Sequence, residues 1–170
     1  MKAVIVLAMH GAPPLDIPKE ELEEFFNLGA RLAHAHGAGP APAQRRYLEL
    51  EAKIRAWPRT AQNDPFYAGS QELAVQLRRS SGRKVVLGFN EFCAPRLDEA
   101  LDQAAGQGAE KIIVVTPMMT RGGEHSEKDI PAAVEQARRR HPAEKFVYVW
   151  PFPLADVAAF LTAQVNRALT

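Results

Sequence analysis

The chain has one cysteine, Cys93, among its 170 residues. That excludes an internal disulfide framework and any cysteine-based zinc knuckle. Neither sign of charge is in excess: 21 basic residues face 20 acidic ones, for a formal charge of +1. Such a balance leaves no broad cationic footprint for nucleic acid. The opening apolar run, "MKAVIVLAMHG", is too short to span a membrane and lacks a small-residue cleavage site, so it reads as a first buried strand. No G-x-S-x-G occurs, so the serine-hydrolase elbow is missing. "GQGAEK" (106–111) precedes a strand, whereas a phosphate fingerprint follows one. Together these absences imply a soluble, cytoplasmic protein with a reduced thiol, and neither nucleic acid nor membrane as partner.

Four apolar runs rich in β-branched residues are present: "KAVIVLAM" (2–9), "KVVLGF" (84–89), "KIIVVT" (111–116) and "FVYVW" (146–150). They are continuous rather than alternating, as parallel strands covered on both faces require. Helical patterns separate them. Leu22, Phe25, Phe26 and Leu32 mark a helix that Pro18 starts, and Tyr47, Leu50, Ile54 and Trp57 a second that Pro58 ends. Asp64 and Pro65 form an N-cap and first-turn pair for a third, carrying Leu73 and Leu77. Leu97 and Leu101 lie on a fourth, Val134 and Ala137 on a fifth, and Leu154, Val157, Leu161 and Val165 on a sixth. The alternation predicts an α/β fold: a doubly wound, mainly parallel four-stranded sheet flanked by helices. A chain of this length suits one domain, 1–170, burying roughly 68–70% of its extended-chain surface. Three helices rather than one fall between the first two strands, so a helical insertion is expected around 35–64, including the Pro/Gly/Ala loop "HGAGPAPAQ" (36–44).

Ligands of open α/β sheets bind beyond the carboxyl ends of the strands. His10 follows the first run, Glu91 the second, and Glu124 and His125 the third. Imidazole nitrogen and carboxylate oxygen suit first-row divalent metals, and neutral imidazole accepts a proton near pH 7. Each residue also has a plainer reading. His10 serves equally as a hydrogen-bonding turn residue, and Glu91 as a cap or a partner of Arg96. Ser126 and Asp129 fit a capping box, although Pro131 favours a helix start near Asp129 with 124–128 as free loop.

The order of motifs resembles the class II chelatases, the family of sirohydrochlorin cobaltochelatases and ferrochelatases. The resemblance is carried by "VIVLAMHG" (4–11), "VVLGFNEFCAPRLDEAL" (85–101), "QGAEKIIVVTPMMTRGGEHSEKDIP" (107–131) and "PLADVAAFL" (153–161). Asn90, Ala12 and Ala155 depart from the family pattern. The resemblance implies a single chelatase-like domain of the small form that inserts a divalent metal, cobalt or iron with nickel as a further candidate, into a tetrapyrrole such as sirohydrochlorin. The metal is then a substrate, and no organic cofactor is implied. His10, His125 and Glu91 match the family positions that hold metal and act in catalysis. Phe89, Met118, Met119 and Pro14 are expected against the macrocycle, and Arg121, Lys128 and Arg96 near its carboxylates. A homodimer is implied because larger members contain two such halves. A carrier that binds metal or tetrapyrrole without turnover is the alternative for the same ligands. A histidine phosphatase fits less well, because no arginine precedes His10.

Overall fold

The computed structural model describes residues 2–35 and 40–169. Strands β1 (Ala3–Met9), β2 (Lys84–Phe89), β3 (Lys111–Val115) and β4 (Lys145–Tyr148) form one parallel sheet in the order β2-β1-β3-β4. The helices are α1 (Lys19–His34), α2 (Ala41–Arg55), α3 (Pro65–Ser81), α4 (Leu97–Ala105), α5 (Ile130–Arg140) and α6 (Leu154–Ala168). The expected α/β architecture is therefore present. Residues 36–39 of the predicted loop lie outside the described residues, and Ala41 already opens α2, with Pro42 in a first turn that needs no N–H from it. The chain passes from β1 to β2 on one side and then returns past β1 to β3. The crevice beyond β1 and β3 is the topological switch point, the usual ligand position in such sheets.

One face of the sheet packs Val4, Val6, Ile112, Val114 and Phe146 against Leu97, Leu101 and Ala104 of α4 and Ile130, Val134 and Ala137 of α5. The opposite face packs Leu7, Met9 and Phe89 with Tyr67, Ala74 and Leu77 of α3. A separate apolar cluster joins α1 to α2 through Phe25, Leu28, Leu50 and Ile54, beside Ile17. Helix α3 begins as the sequence predicts. The Asp64 carboxylate accepts from Tyr67 N at 2.8 Å, satisfying one of the free amides of the first turn. The helix ends at Gly82, in the left-handed conformation. No helix among the described residues is long and apolar enough to cross a membrane.

The segment before α5 differs from the predicted free loop. His125–Asp129 form a single π turn, closed by Ile130 N donating to His125 O, and α5 follows directly. Pro131 accounts for the wide turn. It has no N–H for Ser126 O, the next acceptor in that pattern. The Tyr148 hydroxyl on β4 donates to that carbonyl instead, at 3.0 Å. Burial pushes the Tyr148 phenol up to about 12, so it stays a donor throughout the neutral range. Tyr148→Phe should leave the carbonyl of the buried Ser126 without a partner. A loss of about 1–3 kcal/mol is expected. Urea unfolding at pH 7 reads it as a lower midpoint at unchanged slope.

Candidate metal centre

Three chain segments meet beyond the sheet edge. His10 leaves β1, Glu91 follows β2, and His125 opens the π turn after β3. One donor atom from each lies within 4.8 Å of the others. Donors about 2.0–2.1 Å from a tetrahedral ion sit ~3.3 Å apart, so small side-chain rotations close the trio around a divalent cation. The site is open on one side: the His10 and Glu91 side chains are 47% and 44% exposed, against 17% for His125. The imidazoles meet edge to face, with centroids 4.4 Å apart.

Hydrogen bonds on the Nδ1 atoms set the tautomers. His10 Nδ1 lies 2.8 Å from Gly11 O and 3.9 Å from Glu91 Oε2, and a carbonyl only accepts, so Nδ1 carries the proton and Nε2 the lone pair. His125 Nδ1 lies 2.6 Å from Asp129 Oδ2, while its Nε2 faces Glu91 at 3.8 Å. A carboxylate behind a ligating imidazole fixes ring orientation and raises basicity. Asp129 is thus a functional candidate that the capping-box reading of the sequence passed over. The i, i+4 spacing of His125 and Asp129 is the signal that finds it. Ser126 does not cap a helix with Asp129; its hydroxyl donates to Gly123 O at 3.0 Å.

The backbone under the site is tightly constrained. Gly11 has φ +108°, and a Cβ there would lie 1.9 Å from Glu91 O. Only glycine permits the β1 and β2 turns to approach so closely. Glu91 N in turn donates to His10 O at 2.9 Å. Phe92 holds φ +57°, an uncommon value for a bulky residue. Two arginines stabilise that turn. Arg55 donates to Asn90 O and Cys93 O at 3.1 and 2.8 Å. Arg59 donates to Ala12 O, Ile54 O and Phe92 O and pairs with the buried Asp64. Burial pushes the Cys93 thiol up, with Ala12 O, Arg59 and Asp64 as its polar neighbours, so it is an inert core group.

Other expected residues fall elsewhere. Phe89 is fully buried and stacks on Tyr67 with centroids 5.5 Å apart; it supports the site from below and offers no surface to a macrocycle. Pro14 is buried as well. Met118 packs against the main core while partly exposed, and Met119 is half-buried. Arg121 is exposed and lines a recess with Tyr148 and Trp150, apart from the histidines. Lys128 pairs with the exposed Glu124 at 3.2 Å, and neither belongs to the trio. Arg96 pairs with Asp98 and Glu51 rather than Glu91. It lines a recess of about 370 Å³ beside Glu91, walled by Phe25, Phe26, Tyr47 and Phe92. Burial, and then the Glu51 and Glu91 carboxylates, push the Tyr47 phenol up, so this wall stays neutral.

A doubly wound α/β sheet with an open His/His/carboxylate cluster at its switch point defines the class: an α/β protein with a candidate divalent-metal site. The CbiX family model matches residues 62–168, well over half of the chain, and the chain belongs to that family. The matched stretch contains Glu91 and His125; His10 arrives from outside it. A sirohydrochlorin cobaltochelatase of Priestia megaterium is 33% identical over 70 residues, 41% of this chain and 22% of that protein. Another, of Sulfurisphaera tokodaii, is 37% identical over 71 residues, 40% of this chain and 58% of that protein. The matches therefore span less than two thirds of either relative. Among solved structures, a putative cobalamin biosynthesis CbiX protein of Marinobacter aquaeolei pairs with 99% of both chains at 18% identity and a TM-score of 0.49.

Two substitutions test the centre. Asp129→Asn removes the carboxylate behind His125 and should weaken Co²⁺ binding about 10–100-fold with the fold intact, read by spectroscopic titration. Arg59→Leu leaves Asp64 buried without its counter-charge. A loss of about 3–5 kcal/mol in the unfolding free energy is expected, measured by denaturant titration.

Proposed function

We propose that this chain inserts a divalent metal into a tetrapyrrole, with Co²⁺ and sirohydrochlorin as the first pair and Fe²⁺ or Ni²⁺ as further candidate ions, acting as a homodimer. The observation that carries the reading is the convergence of one donor atom each from His10, Glu91 and His125 at a single sheet edge. The names of the relatives, sirohydrochlorin cobaltochelatases, support the choice of macrocycle and metal.

Metal insertion exchanges one dication for two pyrrole protons. A useful site therefore holds the ion weakly enough to release it, and supplies bases where the protons leave. Three protein donors with open positions suit the first task. The histidine tautomers suit the second. Each Nε2 is a lone pair that binds the ion or accepts a proton, but does not do both at once. Once the ion moves to the macrocycle nitrogens, the vacated Nε2 of His125 accepts a pyrrole proton, and Asp129 stabilises the imidazolium formed. Glu91, 44% exposed and within 4 Å of both rings, carries the second proton towards solvent. The aromatic recess beside Glu91 matches one edge of a flat ring, with Arg96 placed for a peripheral carboxylate. Met119 and Met118 offer polarizable surface at the same sheet edge, with Arg121 further out.

The double variant His10→Ala/His125→Ala removes two donors and two bases. Metallation of sirohydrochlorin, followed by macrocycle absorbance against the spontaneous rate, should fall at least about 100-fold. A double variant that metallates as fast as the unaltered chain would end this reading. Stoichiometric uptake without turnover by the unaltered chain would make it a carrier.

A further inference from the structure

Strand β2 ends one side of the sheet, and among the described residues no strand lies beyond it. The bonds at its end show which groups face outward. Asn90 N donates to Met9 O, towards β1, whereas Phe89 N turns the other way and donates to Pro95 O at 3.0 Å. The backbone groups of a strand point to either side in alternation. Those of Val85 and Leu87 therefore face outward with Phe89, and those of Lys84, Val86 and Gly88 face β1. Among the described residues no backbone group pairs with Val85 or Leu87 on the outer side. The edge does pair where the chain reaches it. Phe89 and Arg96 form one isolated parallel bridge, the first step of a fifth strand that stops where α4 begins at Leu97.

From that bridge back towards Lys84 the edge borders a slot of about 480 Å³. Residues 84–87 line it together with Arg78 of α3 and Gln103 of α4. Gln107 lines it too, and its buried Oε1 has no hydrogen-bond partner among the described residues. A buried acceptor left without a donor is rare, because it loses its water and gains nothing in return. The Lys84 end of the slot is cationic. Arg78, Arg79, Arg83 and Lys84 are all exposed, and none forms an ion pair among the described residues. The α3 dipole accounts for Arg78 and Arg79 in its last turn, but not for Arg83 and Lys84 beyond Gly82.

We propose that the outer edge of β2 is a docking site for an extended acidic segment of another protein, which adds to the sheet as a fifth strand along residues 84–87. Val85 and Leu87 present N–H donors and C=O acceptors at two-residue spacing, the pattern that a peptide backbone matches. The open stretch is about 13 Å long, room for four residues of the segment. Its remaining backbone and side-chain donors fall within the slot, where Gln107 Oε1 lacks one. Carboxylates on the segment meet the four free cations, so charge sets the choice of partner and the backbone pairing holds it. A nucleic acid fits less well. Its phosphates only accept, which leaves the outward carbonyls unpaired, and the cations sit at one end of a chain of formal charge +1. The site uses no residue of the histidine trio, so it goes beyond the metal-insertion reading and does not depend on it.

The test is fluorescence anisotropy of a labelled hexapeptide of alternating glutamate and valine, with the full chain at low ionic strength. The unaltered chain should bind it, and should bind a lysine–valine counterpart at least about 10-fold more weakly. Amide hydrogen exchange should show Val85 and Leu87 gaining at least about 10-fold protection in the complex, while Val86, already bonded to β1, changes little. Val85→Pro removes one outward N–H, which an edge strand tolerates, and should weaken binding at least about 10-fold with unchanged far-ultraviolet circular dichroism. Arg83→Glu/Lys84→Glu should weaken it about 10-fold and flatten its salt dependence. No binding at up to about 1 mM peptide overturns the proposal. So does a complex in which the Leu87 amide stays unprotected, a readout that holds even if Val85→Pro does not fold. A labelled oligothymidylate that binds the unaltered chain and Val85→Pro equally, more tightly than the peptide, assigns the cations to nucleic acid instead. A drop in sedimenting mass on Val85→Pro assigns the edge to a second copy and also overturns the proposal. Co²⁺ titration of the same samples reports on the histidine trio separately, so the two readings fail independently.

Discussion

The buried pair of Arg59 and Asp64 holds together the turns on which the candidate site stands. Arg59 reaches the backbone carbonyls of Ala12, Ile54 and Phe92, so one guanidinium ties the turn after β1, the end of α2 and the turn after β2. Its counter-charge, Asp64, uses the other carboxylate oxygen to cap α3. A guanidinium presents several donors in a fixed fork, which a lysine ammonium does not reproduce. The pair is almost wholly buried. Hydrogen bonds from both terminal nitrogens of Arg59 offset the cost of removing two charges from water, although its buried Nε has no partner among the described residues.

From that clamp the site is built outward with little freedom. Gly11 lets the His10 turn touch the Glu91 carbonyl, and Phe92 accepts a left-handed backbone that its neighbours hold in place. The two sides of the site differ in stiffness. His10 and Glu91 ride on turns fixed by Arg55 and Arg59. His125 rides on a π turn anchored from β4 by Tyr148. Both histidines are fixed in direction, His10 with its side chain open to solvent and His125 largely covered. In each ring Nδ1 is engaged by a hydrogen bond, to Gly11 O in His10 and to Asp129 in His125.

The polar clamp and the apolar surfaces divide the labour. The core on the α4 and α5 face is complete within one chain. The opposite face is completed by α3 over β2 alone. The sequence of β3 and β4 is apolar on both sides, and the structure of a single chain covers only one of them. That mismatch between strand composition and burial leaves an apolar surface on β3 and β4 beside α3.

Local chemistry was readable from the sequence because it acts over a few residues. The four strands announce themselves by β-branched runs, α3 by Asp64 and Pro65, and the donor types by His10, Glu91 and His125 at strand ends. Three things required the tertiary structure. The strand order β2-β1-β3-β4 set His10 and His125 side by side at the switch point, and pairing order is a long-range property that no local pattern encodes. Rotamer and tautomer assigned Asp129 to His125 and not to a helix cap, because the outcome depends on which acceptor a ring nitrogen meets in space. Burial moved Phe89 from a surface for a ring to a support beneath the site, and left α6 in the open. An apolar residue reads the same in sequence whether its neighbours come from its own chain or from another; only the packing distinguishes them.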